Sequence, residues 1–422
     1  MHSVLTFMRL YSIINKKLQA GEKMKLTEKA KENKIFFVTF ILLCLTALNF
    51  ILQRDFTQLV DNEYYPLYVV NYDCGFSSRL LVGAVFSLFF GETLSVEALT
   101  TVLFAVYLLL CLCLSLFINN YLKNTEFEAI GIYAAFIIVS PAFVSVLNYF
   151  GILDIFWFFC AMGALAVVDK KGLRWLVPVF CIIGLAIHEV FLTTYLPVIA
   201  IAVLYQFIKK PCANNFVFIA VCAVVVGVAS VYFLFLGDGT MKMTADEMVA
   251  FARNRLDASG SSFDDWYMRS VFFWEIPNVE EYEGFSGYLQ YNLVEWLKTN
   301  PSAIQTIVFF AFSNIISSIP FIYLISKAFR KAEKPAIKFI YFCSMMTVPL
   351  LLAQIFFSTD TERFSMHWLT VMLFVLLFFI REKDSAFRLA FEEAKQKLSE
   401  NKISLALFGI AAARIILSGV RF

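Results

Sequence analysis

Apolar residues along this chain run in long stretches broken by short polar clusters, and most of the stretches are as long as a bilayer is thick. About 18 or more predominantly apolar residues suffice for a helical crossing. On that measure the pattern predicts helices over about 35–52, 98–118, 128–147, 150–168, 173–187, 190–208, 216–236, 302–325, 337–357 and 366–380, with a shorter run at 403–418. The run WLVPVFCIIGLAIHEVFLTTYLPVIAIAVLY is long enough to cross twice, so His188 and Glu189 mark a tight hairpin. The expected fold is all-α: a polytopic helical membrane protein with about 10–11 transmembrane helices.

Two interruptions are long. Residues 53–95 contain DNEYYPLYVVNYDCGFSSRLLVGAVFSLFFGE, whose apolar part after Gly75 is short for a span and is led by Arg79. It reads as a helix lying at the membrane interface or dipping into it; an additional span is the other reading, and it would break the charge alternation described below. Residues 237–301 are acidic and aromatic, with Trp266, Tyr267, Trp274, Tyr282, Tyr288, Tyr291 and Trp296. Such residues suit an interfacial belt, and equally suit stacking on a sugar. Phe387, Phe391, Ala394 and Leu398 recur at helical spacing among Glu and Lys, which predicts an amphipathic helix on the inner membrane surface.

The resulting organisation is a basic N-terminal segment (1–34), N-terminal spans (35–236) that include the loop 53–95, a large outer loop (237–301), C-terminal spans (302–380), and a segment 381–422 carrying the amphipathic helix and a further candidate span. Composition agrees. The 422 residues are 60% hydrophobic and 16% charged, where a soluble domain would be about 25% charged.

Placing the loops on alternate sides sorts the charge. One side collects the basic N-terminus, Lys170, Lys171, Arg174, Lys209, Lys210, the cluster from Lys327 to Lys338, and Arg381, Lys383 and Arg388. The positive-inside rule makes that side cytoplasmic, with the N-terminus inside a plasma (inner) membrane. The net charge of +2 therefore says nothing for nucleic acid, because the positive charge belongs to one membrane face. The first apolar run follows basic residues without a small-residue cleavage site and reads as a retained span. Met24 opens a second plausible start. Of the nine cysteines only Cys74 falls in an outer loop, which leaves no disulfide framework there. No spacing of His and Cys resembles a zinc site.

The other side holds the ionisable residues that need explaining, since such groups at membrane depth are costly and commonly functional. Asp73 precedes an apolar helix, with Gly75 to turn the chain and Arg79 to pair with it or bind a phosphate; Asp61 and Glu63 are weaker candidates in the same loop. Asp154 sits in NYFGILDIFWFF, where a carboxylate requires a partner. His188 could orient a carboxylate or donate to a phosphate, and HEVF lacks the second histidine of a zinc protease. In STDTERFSMHW a helix starting near Thr361 would put Arg363 and His367 on one face, beside Asp360 and Glu362. The candidates are thus Asp73, Asp154 and Glu189 for catalysis and Arg79, His188, Asp360, Arg363 and His367 for substrate binding, with no metal ligands.

With these features the chain resembles the GT-C class of multi-span glycosyltransferases. The resemblance rests on the cytoplasmic N-terminus, the number of spans, and an acid in a long first outer loop that also carries a membrane-parallel helix. The paired acids common in that loop are absent, as is a large soluble C-terminal domain, so the size is closer to small bacterial members that modify O-antigen or other surface polymers. The resemblance implies inverting transfer of a sugar from a polyprenyl-phosphate donor to a surface-glycan or lipid-linked acceptor. Asp73 would be the general base, and Arg and His would stabilise the departing lipid phosphate. It leaves a divalent metal open and implies no other cofactor. A polysaccharide polymerase, favoured by the large loop 237–301, is the competing enzyme. A transporter or a non-catalytic assembly protein is the reading from another class, though no internal repeat supports transport.

Overall fold

A computed structural model describes residues 33–52, 59–60, 63–91, 93–123, 125–138, 140, 150–236, 240–256, 265–273, 287, 290–291, 298, 301–357 and 361–400. The protein is all-α. Among the described residues there is no strand, only an isolated bridge between Leu94 and Leu256.

The helices are α1 (Lys34–Leu52), α2 (Leu80–Phe90), α3 (Val96–Leu122), α4 (Glu128–Ile138), α5 (Ile155–Val167), α6 (Val177–Ile187), α7 (Leu196–Lys209), α8 (Ala213–Val231), α9 (Ala245–Arg255), α10 (Trp266–Phe273), α11 (Pro301–Lys331), α12 (Pro335–Phe357), α13 (Thr361–Arg381) and α14 (Ser385–Glu400). A single turn at Phe191–Thr194 precedes α7, so the expected helix 190–208 is broken near Tyr195 and Pro197. Among the described residues, five helical stretches are long and apolar enough to cross a membrane: Val96–Leu122, Ala213–Leu236, Ile304–Lys331, Pro335–Gln354 and Arg363–Arg381. Shorter apolar helices lie at Lys34–Ala47, Leu80–Phe90, Ile155–Val167, Leu173–Ile187 and Leu196–Lys209. The candidate span 403–418 lies outside the described residues.

The helices differ in what they face. From Arg363 to Ile380 every residue of α13 is buried, with α3, α4, α7, α11 and α12 packed around it. A helix apolar on all sides has no face to offer water, and here protein surrounds it. The opposite case is α8, where Phe216, Val217, Val224, Val228 and Val231 are exposed. Such a surface fits lipid rather than water, and this is a membrane protein.

The alternating polar ends of the spans become the two ends of the bundle. At one end, hereafter the basic end, Arg381 pairs with Asp169 and donates to Leu165 O at 2.5 Å. Lys209 meets Glu382 at 2.8 Å, and buried Asp384 accepts from Tyr205 and Tyr341 at 2.7 and 2.5 Å. The amphipathic helix α14 docks here, but not as a lipid-facing helix. Its apolar side is buried in protein, with Phe391 against Phe127 and Phe387 against both Phe127 and Phe379.

A cap of short elements covers the opposite end, drawn from both long interruptions. A buried 3-10 turn at Tyr65–Tyr68 supports α2, and the two approach so closely that a Cβ on Gly83 would lie 1.8 Å from Val70 O. α2 is eleven residues long, shorter than a crossing, and leaves Leu88 and Phe89 exposed. The second loop is stitched onto the first: Lys242 N donates to Cys74 O at 2.9 Å, Thr240 Oγ1 to Phe76 O at 2.6 Å, and Leu94 N to Arg255 O at 2.8 Å. The rings of Tyr64 and Tyr267 meet at 5.3 Å.

Candidate functional site

Where the cap meets the bundle, two charge networks, one buried and one half-buried, lie against one tryptophan. The first is built on Asp154. Gly151, at φ +103, turns the chain just before it, and a Cβ there would lie 2.6 Å from Val60 Cγ1. Tyr68 fastens the turn by donating to Gly151 O at 2.6 Å. Asp154 thereby reaches the start of α5 facing α13, whose first turn brings Arg363. Arg363 donates to both carboxylate oxygens, through Nε to Oδ2 and through Nη2 to Oδ1 at 2.5 Å. One helical turn on, His367 lies 2.7 Å from Oδ2 through Nε2. An ionised carboxylate only accepts, so Nε2 carries a proton; a neutral ring then accepts the Tyr195 hydroxyl at Nδ1, 2.8 Å away. Asp154, Arg363, His367 and Tyr195 are all buried.

The second network is built on Glu189. α6 ends at His188, whose extended backbone breaks the apolar run and turns Glu189 toward the cap. Arg79, held in the left-handed region at φ 71, starts α2 and anchors to the bundle through its amide, which donates to Ala186 O at 2.8 Å. Its guanidinium donates to Glu189 Oε1 at 2.5 Å and to Val271 O at 2.8 Å, while Ser78 donates to Oε2 at 2.7 Å. One side chain thus joins bundle, first loop and second loop. Burial opposes ionisation of Glu189, but Arg79 above all outweighs it and holds the carboxyl well below the usual range. Burial and then Arg79 push the His188 imidazole below its usual value. His188 Nδ1 lies 3.3 Å from the Val190 amide and 3.2 Å from Glu189 Oε2. A neutral ring accepting the amide has no proton left there for the carboxylate, so Arg79 and Ser78 hold Glu189.

Trp157, fully buried on α5, joins the networks. Its ring lies 5.2 Å from His188, 5.1 Å from His367 and 5.8 Å from the Arg363 guanidinium. A narrow cleft of about 30 Å³ opens beside Asp154 and Arg363 between α3, α5 and α13, walled by Tyr107, Leu110, Phe158 and Met366.

Six of the eight expected residues therefore come together: Asp154, Arg363 and His367 in one network, Arg79, His188 and Glu189 in the other. Of the two roles expected of Arg79, pairing with Asp73 or binding a phosphate, the pairing does not form. Arg79 is drawn to Glu189, whose side chain is only 14% exposed and so keeps little water around its charge, and Asp73 lies on the cap surface with 67% of its side chain exposed, 3.7 Å from Arg255. Asp360 and Asp61 lie outside the described residues. Sequence reasoning missed Tyr195, Ser78, Trp157 and Arg255: a tyrosine and a tryptophan in apolar runs read as packing, and a serine or a loop arginine carries no spacing signal. Among the described residues no three His, Cys, Asp or Glu side chains are grouped so as to hold a metal ion.

Compared with known proteins, the chain matches no family model, no curated protein and no solved structure.

Proposed function

We propose that this protein is a plasma-membrane glycosyltransferase that moves a sugar from a polyprenyl-phosphate donor to a surface-glycan or lipid-linked acceptor, with its N-terminus cytoplasmic and its cap outside. The carrying observation is the contrast among its three acidic candidates. Asp154 is buried and Glu189 half-buried, each with both oxygens engaged by donors, whereas Asp73 stands open at the cap surface. A general base must come within hydrogen-bond reach of the proton it removes. Asp73 can meet an acceptor hydroxyl there; Asp154 and Glu189 cannot without breaking an ion pair.

In the proposed step Asp73 takes the acceptor hydroxyl proton while the hydroxyl oxygen bonds to the anomeric carbon. The bond from that carbon to the phosphate oxygen breaks, and its electron pair leaves on the polyprenyl phosphate. A single displacement inverts the anomeric centre. Arginines at the site stabilise the charge that develops on the leaving phosphate. The two closed networks act as positioning groups, which hold cap and bundle in register beneath the reacting atoms. The basic residues gathered at the far end support the orientation, and the exposed apolar tip of α2 supports lateral entry of a lipid-linked substrate.

The test is linkage analysis of the host's surface glycans with the gene intact, deleted, or carrying Asp73→Asn. Loss of one side-branch sugar in both altered strains is the expected result. Loss of long chains with single repeat units retained would replace the transferase with a polymerase, and unchanged glycans would remove the reading.

A further inference from the structure

At the basic end, the turn that joins α5 to α6 is inside out. In the 3-10 turn Leu173–Leu176 the apolar side chains of Leu173, Trp175 and Leu176 are exposed, while Arg174 between them is buried. Water would select the reverse; a lipid surface at that depth suits what is seen. Lys170 and Lys171, just before the turn, are exposed, so the step from headgroups to lipid tails falls between Lys171 and Leu173. The loop between α7 and α8 repeats the order: Lys209 and Lys210 are exposed, and so, further on, are Phe216 and Val217.

Arg174 fastens the two loops into one corner. Its amide donates to Lys170 O at 2.9 Å, and its guanidinium donates to Asn215 Oδ1 at 2.5 Å and to Asn214 O at 3.2 Å. Asn215 Nδ2 in turn donates to Lys210 O at 2.7 Å. The guanidinium also lies 4.9 Å from the Phe218 ring, which Trp175 meets edge-on at 5.4 Å. Lys170, Lys171 and Lys210 are thereby held around a fourth cation. The acids near this corner are engaged elsewhere, Asp169 by Arg381 and Glu382 by Lys209. Between Lys170 and Leu236 the one acid is Glu189, at the opposite end of the bundle. Among the described residues none of the three lysines meets a carboxylate. α8 opens here without a side-chain cap from Cys212, and the positive end of its dipole adds to the same field.

We infer that this corner binds an anionic phospholipid, with the phosphate among Lys170, Lys171 and Lys210 and the acyl chains against Trp175, Leu176 and Phe216. Uncompensated cations set directly above an exposed apolar belt match the two parts of such a lipid. A soluble anion has nothing to lay on the belt, and a zwitterionic lipid brings its own ammonium into a field that is already positive. The inference owes nothing to the transferase reading: it concerns the end of the molecule away from Asp73, and it stands or falls separately.

The test is lipid binding to the full chain in detergent, counted by native mass spectrometry, with phosphatidylglycerol, phosphatidylcholine of the same acyl chains and glycerol phosphate as probes. Phosphatidylglycerol should bind about fivefold or more tightly than phosphatidylcholine, and Lys171→Gln with Lys210→Gln should remove that preference. Lys395→Gln with Lys397→Gln, the same loss of charge on α14 at the same end, should leave it. Brominated phosphatidylglycerol should quench tryptophan fluorescence more than brominated phosphatidylcholine does, and Trp175→Phe should remove the difference. Equal binding of the two lipids, an equal loss in the α14 variant, or a preference untouched by Lys171→Gln with Lys210→Gln would overturn the inference. Displacement of the lipid by glycerol phosphate would do the same, since it would make the corner a site for soluble anions.

Discussion

At the residue scale, the Asp154–Arg363 pair decides how the centre of the bundle tolerates charge. Both side chains are almost fully buried and meet through two parallel N–H···O contacts. A buried pair with good geometry roughly offsets its own desolvation, but losing one partner leaves a bare charge in an apolar interior. Arg363→Ala should therefore lower unfolding stability in detergent by about 3–5 kcal/mol, and Asp154→Leu combined with Arg363→Met should recover most of that loss. Thermal unfolding of the purified variants would show it; a double variant no more stable than Arg363→Ala would mean that the pair is not the source. The sequence flagged Asp154 because it interrupts an apolar run and Arg363 because it sits in a charged cluster between two spans. It did not pair them, since they stand 209 residues apart; nor did it find Glu189 for Arg79, for which it offered Asp73 or a phosphate.

At the element scale, α2 depends on backbone contact more than on side chains. Gly83 lets the helix lie directly on the carbonyl of Val70, where a Cβ would come within 1.8 Å. Gly83→Ala must push α2 away from the Tyr65–Tyr68 turn, a strain of roughly 1–3 kcal/mol. Among the described residues nothing outside its own helix lies within 4 Å of the same position at Gly227, in α8, so Gly227→Ala should be neutral or slightly stabilising. Melting temperatures of the two variants should separate accordingly, and equal values would contradict the close packing. That a short helix follows Gly75 was legible from its apolar run, its length and the arginine leading it. The contact that fixes its angle was not, because a glycine in an apolar helix looks the same whether carbonyl, lipid or nothing lies opposite. α14 shows the converse: its amphipathic period was plain, but what covers its apolar side depended on Phe127 and Phe379.

At the scale of the whole molecule, the sorting of charge to one end leads to a prediction about sidedness. All nine cysteines are free and one, Cys212 at the basic end, is exposed. In the proposed orientation a membrane-impermeant maleimide should leave the protein unlabelled on intact cells and label it in inverted vesicles, with Cys212→Ser abolishing the signal. Labelling of Cys212 on intact cells would reverse the orientation and move the cap, with Asp73 and Arg255, to the cytoplasm.

The sequence by itself determined the all-α membrane fold, the positions of most helices and the segregation of polar groups to two ends. These follow from hydropathy and length, which each segment carries locally whatever its neighbours are. Only the tertiary structure decided that α13 is the central helix, that two loops combine into one cap, and that six candidate residues form two closed networks on Trp157 while Asp73 stays open. Hydropathy is the same for a helix facing lipid and one facing protein. The partner of a buried charge is set by which groups packing brings together, and here the partners lie more than a hundred residues apart in the chain.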